Sequence, residues 1–132
     1  MKTIESITVV FPMFNERDYI LVIIEKTLSV LKDITDDYEI IIVDDASFDG
    51  SERIADELAL RNHRIKVAHH KKNKKLGAAL RTGFNLVTKK YILYSDMDMP
   101  FDLTEVRKAV DLLIEEQADL ISAYRLNRGV DG

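Results

Sequence analysis

Asp96 and Asp98 stand one residue apart in Tyr94-Ser95-Asp96-Met97-Asp98-Met99-Pro100, just after the apolar run Tyr91-Ile92-Leu93. The run reads as a buried strand. Two carboxylates at its end cannot both turn into a core, because they would repel each other and lose their hydration. An open sheet edge suits them. There a hard cation, Mg²⁺ or Mn²⁺, can bridge them to a ligand's phosphates. Ligands of open α/β sheets bind outside the carboxyl ends of the strands, so the segment gives both a place and a chemistry. Asp-x-Asp alone is common by chance; its position after a strand gives it weight.

A second acidic cluster, Asp44-Asp45-Ala46-Ser47-Phe48-Asp49-Gly50, follows the continuous apolar run Glu39-Ile40-Ile41-Ile42-Val43. A tight turn with Asp49 or Ser51 capping the next helix accounts for one acid and one hydroxyl. It leaves Asp44 and Asp45 unexplained. A carboxylate at that strand end can accept a hydrogen bond from a nucleobase N–H or a ribose hydroxyl. Pro12-Met13-Phe14-Asn15-Glu16 reads more simply, with Pro12 ending a strand and Asn15 capping a helix. His69-His70 lacks helical ligand spacing and is not expected to bind metal.

These clusters need a scaffold, and the hydrophobic pattern supplies one. Strands are expected at Ile7–Phe11, Glu39–Val43, Ile65–Ala68, Tyr91–Tyr94 and Leu120–Ala123. Helices are expected after Asn15, over about 51–61, over Leu76–Val87 opened by Gly77, and after a Thr104 cap. Strands alternating with helices predict an α/β fold, a Rossmann-like, mostly parallel sheet flanked by helices. Parallel strands carry residues 12–16, 44–50 and 95–102 to one edge, so that they meet in one crevice.

Composition sets the bounds. The 132 residues form one domain with room for a core, and the absence of Cys excludes disulfides and thiolate metal sites. No apolar run approaches a membrane span, and no signal-peptide pattern opens the chain. The expectation is a cytoplasmic protein, with any membrane contact peripheral and at the cytoplasmic face. The net charge of −4 hides an asymmetry: from Leu58 to Ser95 there is no Asp or Glu, and Lys71, Lys72, Lys74, Lys75 and Arg81 fall there. That stretch reads as a solvated loop or as an electropositive rim for an anionic ligand or membrane. Nucleic acid is not an expected partner, since the chain is acidic and no aromatic residues interleave the lysines.

Four blocks in order carry a family resemblance: Val10–Glu16, Ile42–Ser51, Lys75–Gly83 and Ser95–Asp98. Together they resemble the N-terminal part of a family 2 inverting glycosyltransferase of the glycosyltransferase A-type fold. The polyprenyl-phosphate sugar transferases, of the dolichyl-phosphate mannosyltransferase type, are the most similar. The resemblance implies a nucleotide-diphosphate sugar donor, GDP- or UDP-linked, and a polyprenyl phosphate acceptor. It places Pro12, Phe14, Glu16, Val43 and Asp45 at the base and ribose, with Asp44 close by. It gives Asp96 and Asp98 the divalent cation on the diphosphate, Asp98 thereby bearing on catalysis. Gly77 to Gly83 would pack near the nucleotide, Arg81 would lie by the phosphates, and Arg125 would face the acceptor phosphate.

The chain departs from the family in three respects. Phe14 stands where Tyr is frequent, which removes a hydroxyl contact and keeps stacking. Pro100 replaces a frequent polar neighbour of the metal. Relatives run well past residue 132, so the expectation is a single nucleotide-sugar-binding domain over 1–132 lacking its acceptor part. A phosphate acceptor suits a chain with no evident general base, because its second pKa is ~6 and it is mostly dianionic at neutral pH. Two other readings stay open: a nucleotide-binding half-domain inactive alone, and a receiver-like signalling domain. Against the latter, the acidic pair follows the second strand rather than the first, and no Lys immediately follows the fifth.

Overall fold

The computed structural model describes residues 4–97, positions 108 and 111–112, and the backbone of 120–123. In chain order its elements are β1 (Ile7–Met13), α1 (Ile20–Ile34), β2 (Tyr38–Asp44), α2 (Ser51–Arg61), β3 (Ile65–His69), α3 (Lys75–Leu86), β4 (Tyr91–Ser95) and β5 (Leu120–Ala123). Lys108, Asp111 and Leu112 are helical; the expected Thr104 cap lies outside the described residues.

The five strands lie in the order β3-β2-β1-β4-β5, and every pair is parallel. Parallel strands must be covered on both faces, which is why β1 and β2 are apolar almost throughout. Alternation then divides the core in two. Ile7, Val9, Phe11 and Met13 join Ile40, Ile42 and the buried residues of α1 on one face. Val10, Ile41 and Val43 join Ala79 of α3 on the other. α1 contributes Ile20, Ile23, Ile24, Thr27, Val30, Leu31 and Ile34, the spacing of one helical stripe.

Strand order reverses between β1 and β4, and this reversal is where doubly wound sheets open a ligand crevice. Pro12 belongs to that opening. Met13 faces β2, since its carbonyl accepts from the Asp45 N–H at 2.9 Å. By alternation Pro12 faces β4, beyond the last β1–β4 pair, Val10↔Tyr94. Its missing N–H therefore costs the sheet nothing. β1 does not stop at Pro12, as expected from the sequence, but runs one residue further to Met13.

α1 does not start at Asn15. It opens at Ile20, with Tyr19 at the cap and no side-chain cap bond. Asn15 instead takes a left-handed φ of 55° and joins two loops. Its N–H donates to Ser47 Oγ at 2.9 Å, and its Oδ1 accepts from the Phe48 N–H at 2.8 Å.

Candidate functional site

The carboxyl edge of the sheet is where the backbone is strained. Among the described residues three non-glycine residues have positive φ, Asn15 at 55° and Ala46 at 69° in the loops that leave β1 and β2, and Lys75 at 75° where the loop after β3 enters α3. Such conformations cost about 1–3 kcal/mol each and persist only where surrounding bonds impose them. Here those bonds converge on the ends of β1 and β2.

Asp44 and Asp45 diverge. Consecutive residues of a strand face opposite sides of the sheet. Asp44 follows Ile40 and Ile42 onto the face of α1 and α2; Asp45 follows Ile41 and Val43 onto the face of α3. Asp44 is 2% exposed. Its Oδ1 accepts the Ser47 N–H at 2.9 Å, and its Oδ2 lies 2.6 Å from His69 Nδ1. His69 Nε2 reaches Asp56 Oδ1 on α2 at 2.7 Å. Burial lowers the His69 pKa, but the bonds and charges of Asp44 and Asp56 outweigh it and hold it above the ordinary imidazole value. Asp44 thus ties β2, β3 and α2 together on the face away from α3.

Asp45 lines a cleft of about 300 Å³ with Pro12, Met13, Phe14, Asn73, Lys75, Leu76 and Ala79. His70 Nδ1 is 2.7 Å from its Oδ1, and the Lys74 and Lys75 N–H groups donate at 2.8 and 2.9 Å. Asn73 Nδ2 donates to the Asp45 carbonyl at 3.2 Å. Burial pushes the Asp45 carboxyl up, yet the His70 and backbone bonds outweigh it and hold it below the usual carboxylate range. The loop bearing Lys71, Lys72, Lys74 and Lys75 is therefore fixed by its backbone, while these lysines stay exposed.

The other site residues named from sequence are distributed as follows. Phe14 is 43% exposed at the cleft, its ring edge-to-face with Phe48 at 6.0 Å. Glu16 is half-buried, and its carbonyl accepts the Tyr19 and Ile20 N–H groups. Val43 is fully buried, beneath the cleft rather than on its wall. A Cβ on Gly77 would meet nothing within 4 Å, whereas one on Gly83 would stand 2.5 Å from Val10 Cγ1. Gly77 is thus open space, and Gly83 is what lets α3 pack close to β1. Arg81 is exposed on α3 and is not among the residues lining the cleft. Asp96 directly follows β4; continuing the Val10↔Tyr94 register by two residues brings it level with Pro12. Asp98 and Arg125 lie outside the described residues. Among the described residues no three His, Asp or Glu side chains cluster as metal ligands, and no helix is long and apolar enough to cross a membrane.

Sequence reasoning missed His70 and Thr82. His70 Nε2 lies 2.8 Å from Thr82 Oγ1 on α3. No local sequence signal gives the register that pairs Asp44 with His69 and so sets His70 opposite Asp45 one step on.

The glycosyl transferase family 2 profile matches residues 8–132. Two undecaprenyl-phosphate 4-deoxy-4-formamido-L-arabinose transferases, from Photorhabdus laumondii and Yersinia enterocolitica, are each 32% identical over 127 residues, or 95% of this chain. The chain spans 38% of the length of each. The mannosyltransferase PcManGT from Pyrobaculum calidifontis, solved with GDP-Man and Mn²⁺, superposes with a TM-score of 0.71 at 22% identity, over 81% of this chain and 32% of that one. S. aureus TarS residues 1–349, solved with UDP-GlcNAc, gives 0.66 at 22% identity over 89% and 32%. These two neighbours share the glycosyltransferase A-type fold expected from the sequence.

Proposed function

The chain belongs to glycosyl transferase family 2, and on that premise we propose that it binds the donor for inverting sugar transfer from a nucleotide diphosphate to a polyprenyl phosphate. Membership of that family sets the receiver-like alternative aside. The observation that carries the proposal is the cleft itself. It lies at the carboxyl ends of β1 and β2 beside α3, has apolar walls in Pro12, Leu76 and Ala79, and has one buried carboxylate, Asp45, in its lining. Apolar walls with a few placed polar groups, here Asp45, Asn73 and Lys75, suit a nucleoside.

Asp45 takes a donor group of the nucleoside, and Phe14 offers an exposed ring face to it. Asp96, at the height of Pro12, and Asp98 after it would hold Mg²⁺ or Mn²⁺. Their all-oxygen donor set suits such hard cations. When bound, the cation supplies Lewis-acid stabilisation of the charge gathering on the departing diphosphate. The acceptor phosphate, already dianionic, needs no base from this chain, and Arg125 is assigned to it. The exposed lysines beside the cleft suit an anionic ligand or bilayer and support a reading in which the site works at the cytoplasmic face of a membrane. The UDP-GlcNAc and GDP-Man complexes of the fold neighbours and the undecaprenyl-phosphate relatives support this reading.

A thermal-shift panel of UDP, GDP, CDP and ADP, with and without Mn²⁺, tests it. A nucleotide at a hundredfold excess over its dissociation constant stabilises by about 2.7 kcal/mol, a shift easily read. Mn²⁺ should enlarge the shift, and Asp98→Asn should abolish that enlargement while leaving the fold intact. No shift with any diphosphate removes the donor reading. Unchanged Mn²⁺ enhancement in the variant removes the metal assignment alone.

A further inference from the structure

His70 is the first residue after β3, and its backbone N–H donates to the Asp44 carbonyl at 2.8 Å. Its side chain is 8% exposed. An ionised carboxylate can only accept, so the ring nitrogen facing Asp45 Oδ1, Nδ1, carries a proton. The far nitrogen meets the Thr82 hydroxyl. Two neighbouring groups therefore hold the ring, one from the end of β2 and one from α3.

That ring in turn limits Asp45. A carboxylate offers about four acceptor positions. Among the described residues three are filled: His70 Nδ1 and the Lys74 N–H on Oδ1, and the Lys75 N–H on Oδ2. The fourth belongs to Oδ2, and Asp45 lines the cleft beside Leu76 and Ala79.

We propose that His70 is the positioning residue for nucleobase selection: braced by Thr82, it pins Asp45 so that one carboxylate lone pair stays open to the cleft and admits a base N–H. The inference rests on the donor reading above. Uracil N3–H and guanine N1–H are donors, whereas cytosine N3 and adenine N1 are bare acceptors that would face a carboxylate oxygen. With His70 in place the carboxylate has one usable direction. Without it the group can rotate and meet an exocyclic amine as readily as a ring N–H, and the selection is lost.

Calorimetric titration of UDP, GDP, CDP and ADP into the wild-type chain, His70→Leu, His70→Asn and Thr82→Val tests this. The wild type should prefer UDP or GDP over CDP and ADP. His70→Leu should shrink that ratio about tenfold, the scale of one charge-assisted hydrogen bond. His70→Asn, whose amide reaches Asp45 in place of Nδ1, should restore most of it, and the isosteric Thr82→Val should shrink it less. A merely structural His70 would weaken all four nucleotides together and leave the ratio alone; that result overturns the inference, as does an unchanged ratio in His70→Leu. If His70→Leu does not fold, the ratio in Thr82→Val decides in the same way. A wild type that binds none of the four overturns the donor reading and this inference with it. A selective wild type with unchanged variants overturns this inference alone.

Discussion

On the face of α3 the sheet carries a buried carboxylate at each end, Glu39 at the amino edge and Asp45 at the carboxyl edge, and the two differ in how far the chain fills them. Glu39 is 3% exposed and Asp45 5%. Glu39 Oε2 accepts from Thr8 Oγ1 at 2.6 Å and the Thr88 N–H at 2.8 Å. Its Oε1 accepts from Lys66 Nζ at 2.6 Å and Thr88 Oγ1 at 3.0 Å. All four acceptor positions are filled by the chain itself, whereas Asp45 keeps one for the cleft. Glu39 is thus closed by its own fold, and Asp45 is held firmly but left incomplete on the side of the cleft.

The contrast predicts opposite phenotypes. Glu39→Ala leaves the fully buried Thr8 hydroxyl without its acceptor, removes three further hydrogen bonds, and should cost about 3 kcal/mol of stability. Nucleotide affinity of its folded fraction should not change. Asp45→Ala frees two backbone N–H groups of an exposed loop and the His70 ring, whose proton can move to the nitrogen facing Thr82, and should cost about 1 kcal/mol while weakening nucleoside and nucleotide binding alike. Urea unfolding and calorimetry on both variants check this. Equal destabilisation, together with lost affinity in Glu39→Ala, would dissolve the distinction. A loss in Asp45→Ala confined to metal-dependent diphosphate binding would move that residue from nucleoside to phosphates.

A second contrast within α3 has the same form. Gly83 lies against the sheet, where a Cβ would meet Val10 at 2.5 Å and Val43 at 3.2 Å. Gly83→Ala must push the helix off β1 and β2, an overpacking cost of about 2 kcal/mol. An unchanged melting temperature would show that this contact gives way without strain.

Much of the scaffold was legible because local periodicity and burial agree. Ile40 to Val43 cannot be other than an inner strand of a parallel sheet, and the stripe from Ile20 to Leu31 reads directly as a helix face. The order of strands was not legible, because no local signal says that β4 pairs with β1. The start of α1 was misread because Asn15 satisfies its side chain against Phe48, 33 residues away, rather than on its own helix. The divergence of Asp44 and Asp45 follows from the two-residue period of a strand. Reading the pair as one cluster overlooked that period.

The two faces of the sheet differ in how their stability depends on pH. The folded pKa of His69 is raised above its unfolded value of about 6.5. Its contribution to stability is complete below that value and is lost as pH rises through the folded one. Asp45 and Glu39 work in the other direction. Their depressed values contribute above the ordinary carboxylate range and are lost as pH falls through the lowered ones. Urea unfolding of the wild type and His69→Gln, from about pH 5.5 to about pH 8.5, should show the largest gap at the acid end. A gap that widens toward alkali would show that the ring contributes in its neutral form instead.

The smallest effect concerns Gly77, in the first turn of α3 on the same helix as Gly83. It has no positive φ, and a methyl placed on it meets nothing within 4 Å. Neither strain nor close approach accounts for a glycine there, and glycine in a helix is less favourable than alanine. Gly77→Ala should therefore stabilise the chain by about 0.5 kcal/mol, a rise in melting temperature that calorimetry can resolve. The resemblance to nucleotide-sugar transferases would seat the ligand near that open space. A rise in melting temperature combined with weaker UDP or GDP binding would place the nucleotide against this turn. A rise with unchanged affinity would seat it nearer Phe14. A fall would mean that the turn holds backbone contacts a methyl disturbs, and the contrast between the packed and open ends of α3 would fail.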